Sequence, residues 1–169
     1  DRQLIYHKRF KDQSPFPWTN DLVFKKYKFC NVYRQLDKGT IYYMEKIGGN
    51  KNLSESEIIF NTFVYRFFNR YKFFDEILDS TIDPRDFDIE KLMTVLDAKK
   101  HLGLFNSAYL TGSMVQQASP RGKHHDFLIS LDGIREQLKQ GLHSYLMQET
   151  DPAKIMKELT NLRQVGKFL

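Results

Sequence analysis

The chain is 169 residues long with 41% hydrophobic and 28% charged residues, the balance of a soluble globular protein able to bury one ordinary core. No run approaches the roughly 18 consecutive apolar residues of a membrane span, and no basic-then-apolar leader opens the sequence. The lone Cys30 excludes an internal disulfide, and an intracellular, reducing compartment is expected. The net charge of +5 is concentrated: residues 1–50 carry 10 Lys and Arg against 5 Asp and Glu, while residues 51–169 carry 16 against 16. A basic face of that size suits phosphate polyanions, or is simply a solvated surface.

Leu4, Ile5 and the run His7-Lys8-Arg9-Phe10 predict a short basic amphipathic helix over 1–13. Pro15 and Pro17 end it, each removing a backbone donor and pushing its predecessor out of the α region. Thr19 is the expected N-cap of the next helix, with Asp21 in its first turn where the dipole favours an anion. Leu22, Val23, Tyr27, Cys30, Tyr33 or Arg34, and Leu36 then recur at helical spacing, which predicts a helix over about 20–36. A second piece runs to Ile47 and stops at Gly48-Gly49. Ser54 and Glu57 form a capping box for a helix to about Tyr71, with Phe60, Phe63, Val64, Phe67 and Phe68 as its buried stripe and Asn61, Arg66, Asn69 and Arg70 towards the other side.

Residues 79–88 are turn-rich. A helix over about 88–102 follows, with Gly103 as its stop. Residues 104–117 read as a short helix interrupted near Thr111-Gly112, and Ser119 to Lys123 as a polar, basic loop. Ile134, Leu138, Leu142 and Tyr145 predict a helix over about 132–147, and Asp151-Pro152 starts the last one. No segment alternates with period two. The predicted fold class is all-α, one helical domain over 1–169. An apolar pattern still running at Leu169 and a start at Asp1 suggest a piece of a longer domain.

Metal chemistry has little support, because His124 and His125 are adjacent and point apart on any regular element. They read as solvated or phosphate-facing loop histidines. No Gly-rich phosphate loop and no G-x-S-x-G occurs, so this stretch by itself is neither a P-loop kinase nor an α/β-hydrolase. No cofactor is indicated. Asn31, Arg34 and Asp37 would share one side of the predicted helix. An Arg between an amide and a carboxylate is either a buried structural pair or a fixed fork for a phosphate or a base edge. Candidate phosphate contacts are Arg9, Lys25 and Lys28 in the basic third, with Arg121, Lys123 and Lys167 at later loops. Trp18, the one tryptophan, reads first as a hydrophobic staple before the Thr19 cap, and otherwise as a stacking platform for a base.

Pro17-Trp18-Thr19-x-Asp21, followed by Tyr27-x-Phe29-x-Asn31-Val32-Tyr33-Arg34-x-x-Asp37, resembles the opening signature of one helical family. It comprises the α-glutamyl/putrescinyl thymine pyrophosphorylases and the helical domain of 5-hydroxymethyluracil DNA kinases. Phe60, Arg66 and Phe68-Asn69 resemble its second helix. Leu162 to Leu169 is similar to its Gly-x-Phe-Leu turn, with Lys167 in place of the usual proline. The resemblance covers nearly the whole chain. It implies a fold like the helix–hairpin–helix DNA glycosylases, a partner in double-stranded DNA carrying a modified thymine, and no membrane. It also implies extrusion of that base and replacement of an activated, pyrophosphorylated 5-hydroxymethyl group by an amine or amino acid. In that chemistry Arg34, with Arg9, would face the departing diphosphate, Asp37 or Asp21 would act as base, and Asn31 would read the pyrimidine edge. Base excision by a glycosylase and a non-catalytic DNA-binding accessory role remain as alternatives. The implied location is the cytoplasm of a bacterium or an infected cell, or a nucleus.

Overall fold

The computed structural model describes residues 2–27, 33–106, 119–162 and 165. All regular structure among them is helical, so the fold class is all-α. The expected helix over 104–117 lies largely outside the described residues, as do Lys28, Asn31 and Lys167. The chain divides into two compact units, Asp1–Ile41 and Tyr42–Leu169.

The N-terminal unit opens with α1 (Arg2–Tyr6), which widens into a π-helical turn at His7–Lys11. This is the basic helix expected over 1–13. It closes where Ser14 N–H reaches back to the Lys8 carbonyl at 2.8 Å, just ahead of Pro15. Tyr6 packs edge-on against Tyr33 at 4.8 Å between centroids, and Gln3 Nε2 donates to the Tyr33 hydroxyl at 3.3 Å.

The helix expected over 20–36 does not form as one piece. α2 (Leu22–Lys26) ends at Tyr27, which is extended at φ −103°, ψ 146°. A 3-10 turn at Arg34–Leu36 follows, flanked by extended Tyr33 and Asp37. Two causes act together. Tyr27 and Tyr33 are aromatic and lose χ1 freedom in a helix. α2 also buries no residue, so tertiary packing does not override those local preferences. The cap is displaced as well. Asp21, not Thr19, is the N-cap and accepts from Val23 N–H at 2.8 Å, while Thr19 Oγ1 accepts from Asp21 N–H at 3.1 Å.

α3 (Lys38–Tyr43) spans the boundary between the units and runs into a π-helical turn at Met44–Gly48. The predicted Gly stop is real: a Cβ on Gly49 would lie 2.7 Å from the Met44 carbonyl oxygen. In the C-terminal unit, α4 (Glu55–Phe68) starts on the expected capping box, with Ser54 N–H donating to Glu57 at 2.8 Å. Its phenylalanine stripe is the centre of the core. Phe67 stacks on Phe127 at 5.0 Å, and Phe68 stacks on Phe73 at 4.3 Å and on Phe105 at 5.5 Å. Asn61, read as outward-facing, is fully buried instead. Its Nδ2 donates to the carbonyls of Glu57 and Ile82 and its Oδ1 accepts from Ile82 N–H, each at 2.8 Å, clipping the 79–88 loop onto α4.

Two further elements complete this unit differently from expectation. A π-helical turn at Phe74–Leu78, unassigned in the sequence, buries Phe74 and Ile77. α5 (Ile89–Ala98) then leads through a 3-10 turn to Gly103 at φ +77°, the predicted stop. α6 (Lys123–Lys139) begins at Lys123 instead of 132 and ends at Gln140, where Gly141 at φ +101° separates it from α7 (Leu142–Gln148). The pattern Phe127, Leu131, Ile134, Leu138 carries the helical period through the early turns that the polar run Lys123-His124-His125-Asp126 disguises. α6 packs against both α4 and α5. α8 (Pro152–Thr160) starts as expected, with Asp151 accepting from Ala153 N–H at 2.9 Å.

Candidate functional site

The N-terminal unit and the C-terminal unit treat their cations in opposite ways. In Tyr42–Leu169 many cations are held by carboxylates: Lys46 with Asp75, Arg70 with Glu76, Lys99 with Asp79 and Arg135 with Asp132 are examples. Among the described residues no ion pair engages Arg9, Lys11, Lys25, Lys26, Arg34 or Lys38, all of them exposed. Residues 1–41 carry 9 Lys and Arg against 4 Asp and Glu, and residues 42–169 carry 17 against 17. The excess charge therefore sits in one unit, and these six cations meet no carboxylate of the chain among the described residues.

That unit also exposes its rings. Phe10 is 48% exposed, Phe16 64% and Tyr27 56%, and no described residue of Asp1–Ile41 is buried. Arg9 and Trp18, two of the predicted contact residues, are brought together: the Arg9 guanidinium carbon lies 5.1 Å from the Trp18 ring centroid and 4.9 Å from that of Phe10. Trp18 Nε1 donates to the Ser14 carbonyl at 2.7 Å, and the Phe16 ring meets Trp18 edge-on at 5.2 Å. Because Asp21 is the cap, Trp18 stands three residues ahead of it and not in the position of the expected staple. Lys25 and Lys26 form the last turn of α2, with the Lys26 ammonium 5.4 Å from the Tyr27 ring.

The predicted carboxylate–arginine row is arranged otherwise than its spacing suggested. Asp21 is occupied as the α2 cap. Arg34 and Asp37 are joined through the backbone, Asp37 N–H donating to the Arg34 carbonyl at 3.0 Å, with extended residues on either side of the turn. No α-helix carries these two side chains, since the intervening backbone is a 3-10 turn bounded by extended Tyr33 and Asp37. Asn31 lies outside the described residues.

In the C-terminal unit, Arg121 is clamped by Glu90 through two bonds, Nη1 to Oε1 at 2.7 Å and Nη2 to Oε2 at 2.8 Å. The Arg121 hydrogen bonds hold the Glu90 carboxyl below the usual carboxylate range and raise the arginine in turn. Lys123 is half-buried with its ammonium 5.0 Å from the Phe105 ring and 5.5 Å from Phe127, and burial pushes it below the ordinary lysine range. The two histidines are not loop residues. Both lie in α6, and His124, 2% exposed, pairs through Nε2 with Asp97 Oδ1 at 3.0 Å. α6 packs on α5, which places Asp97 there, and a partnered polar group tolerates burial that a lone one would not. His125 contacts Ser119 Oγ at 3.1 Å and Arg121 Nη1 at 3.3 Å. Sequence reasoning missed Glu90, Asp97 and Phe16. The first two act across helices and left no local signal, whereas the Pro15-Phe16-Pro17 triplet marked a ring held away from any helical core. Among the described residues no group of three His, Cys, Asp or Glu side chains gathers as a metal site. No helix among them is long and apolar enough to cross a membrane.

Among the described residues, an all-helical fold with the net charge confined to one aromatic-rich unit defines the class: a basic helical domain. The chain belongs to the family of the 5-hmdU DNA kinase helical domain, which matches it over residues 1–169. It is similar to the 5-hmdU DNA kinase of Bacillus phage SP10, 28% identical over 179 residues covering 99% of this chain. The chain spans 28% of that relative's length. No solved structure matches it.

Proposed function

We propose that this chain is the DNA-engaging helical domain of an enzyme acting on 5-hydroxymethyluracil in DNA, with the N-terminal unit as its DNA contact. The observation that carries the reading is the family match over the whole chain, and the exposed cations Arg9, Lys11, Lys25, Lys26, Arg34 and Lys38, free of ion pairs among the described residues, support it physically. Phosphoryl transfer to the 5-hydroxymethyl group would then reside in the larger remainder of such an enzyme, because these residues contain no Gly-rich phosphate loop. DNA as partner carries with it an intracellular site of action.

The finer reading, replacement of an activated 5-hydroxymethyl group by an amine on a flipped base, asks Arg34 and Asp37 to converge on one substrate. Nothing in the backbone of residues 33–37 favours that convergence over separate roles. DNA engagement is the reading with support in the geometry.

The test is a titration of the 169-residue chain with DNA containing 5-hydroxymethyluracil across a range of salt. Binding should weaken steeply with salt, and Lys25→Ala or Lys26→Ala should each lower the log–log slope by about 0.7–0.9, one phosphate contact apiece. Arg121→Ala, which removes a cation already clamped by Glu90, should leave the slope unchanged. No binding at low salt would sink the proposal, and so would a slope that responds to Arg121 but not to the lysines.

A further inference from the structure

Exposed rings and unpaired cations in one unit point to a more specific ligand than duplex phosphate. Large apolar side chains left in water are unfavourable, and a contiguous basic unit normally presents lysine and arginine without aromatic faces when it needs only to track a duplex backbone. Here Phe16 is 64% exposed beside Arg9 and Trp18, and Phe10 and Tyr27 are about half exposed in the same unit. Trp18 is the less open ring: it is half-buried, the Arg9 guanidinium lies over it, and its indole N–H is committed to the Ser14 carbonyl. Phe16 is the more exposed of the two and meets this fixed indole in an edge-to-face contact at 5.2 Å.

We propose that the N-terminal unit takes unpaired DNA, with the Phe16 ring stacking on a base and the cations of the unit, Arg9 first among them, holding the flanking phosphates. The inference rests on the DNA-engaging role proposed above and names the form of DNA that role uses. Aromatic faces stack on any exposed base, but the bases of an intact duplex already stack on one another, so an exposed ring gains only from an unpaired strand. Charge complementarity selects this occupant over a protein surface, because the unit holds the whole net charge of the chain and Arg9, Lys11, Lys25, Lys26, Arg34 and Lys38 have no carboxylate partner among the described residues. Arg9 serves both parts. Its guanidinium lies against Trp18 and Phe10 and still has no carboxylate partner among the described residues, which leaves its donors for a phosphate oxygen.

The experiment uses the 169-residue chain and two fluorescein-labelled probes: an oligothymidylate of about 12 nucleotides, and the same strand annealed to its complement. The single strand should bind more tightly than the duplex. Phe16→Leu keeps the apolar bulk but removes the π-face, and should weaken single-strand binding by about tenfold with duplex binding unchanged. Phe16→Tyr should restore the wild-type value, and Leu22→Ser, at an aliphatic position still more exposed than Phe16, should leave both probes unaffected. If the duplex binds as well as the single strand, or if Phe16→Leu weakens both probes equally or neither, the stacking assignment is overturned while the DNA-engaging role stands. If neither probe binds and the chain self-associates on sedimentation, the exposed rings seat a second copy and both readings fall.

Discussion

At the scale of single residues, the most consequential side chain outside the candidate interface is Tyr42. Its hydroxyl accepts from the backbone N–H groups of Phe74 and Asp75 at 3.1 and 3.2 Å, fastening the start of the Phe74–Leu78 turn to the end of α3. Burial, aided by the nearby Asp75 carboxylate, pushes its pKa up to about 12. In the unfolded chain the phenol titrates near its ordinary value of about 10. Between the two values the folded chain keeps a proton that the unfolded chain has lost, so unfolding releases protons and stability must fall as pH rises. The contribution is intact below pH ~10 and is lost as the pH passes through about 12. Tyr42→Phe should therefore lose about 1–2 kcal/mol at neutral pH by leaving two backbone donors without their acceptor. It should also show a flatter alkaline limb than the wild type in urea-unfolding measurements. Parallel limbs for the two proteins would show that the phenol does not titrate with unfolding.

Elements in this chain form where a buried face supports them and break where it does not. α4 has a capping box, a phenylalanine stripe and a left-handed Asn69 at its C-cap, and it runs 14 residues without interruption. α2 has an Asp cap of equal quality but no buried residue, and it lasts five. Local signals open a helix, while packing decides its length. The loop over 79–88 obeys the same logic through a polar contact, since Asn61 on α4 satisfies both the N–H and the carbonyl of Ile82. Asn61→Leu removes both partners from the part-buried backbone of Ile82 and should destabilise the C-terminal unit by about 1–3 kcal/mol in chemical denaturation. It should also speed hydrogen exchange at the Ile82 amide before that of α4 itself. A loss under about 0.5 kcal/mol would mean that the loop rehydrates freely and that the clip is dispensable.

On the scale of the molecule, the two units differ in what holds them. Tyr42–Leu169 has a continuous core in which Phe60, Phe68, Phe127 and Leu131 are all 2% exposed or less. Asp1–Ile41 rests on ring–ring and cation–ring contacts at its surface, with none of its described residues buried. Opening free energies follow buried contacts, so amides in α1 and α2 should exchange about a hundredfold or more faster than those in α4 and α6. DNA should slow the first set selectively. Uniform protection across the chain in native-state exchange, without ligand, would contradict this division of stability.

Sequence alone determined the helical class, the α4 capping box, the stops at Gly49 and Gly103, the Asp151-Pro152 start and the confinement of the charge to the N-terminal third. Each of these depends on a residue and its neighbours within one or two turns, the range over which hydrogen-bonding and dihedral preferences act. The motif from Pro17 to Asp37 also carried the family, since it is a string and needs no fold to be read. Only the tertiary structure decided that Asp21 caps in place of Thr19, that α2 ends at Tyr27 and Arg34–Leu36 form a 3-10 turn, that His124 meets Asp97 and Arg121 meets Glu90, and that Phe16, more than Trp18, presents the open ring. Those outcomes depend on which surfaces are buried and which charges meet across helices. Periodicity in a sequence names a face but not the neighbour that covers it.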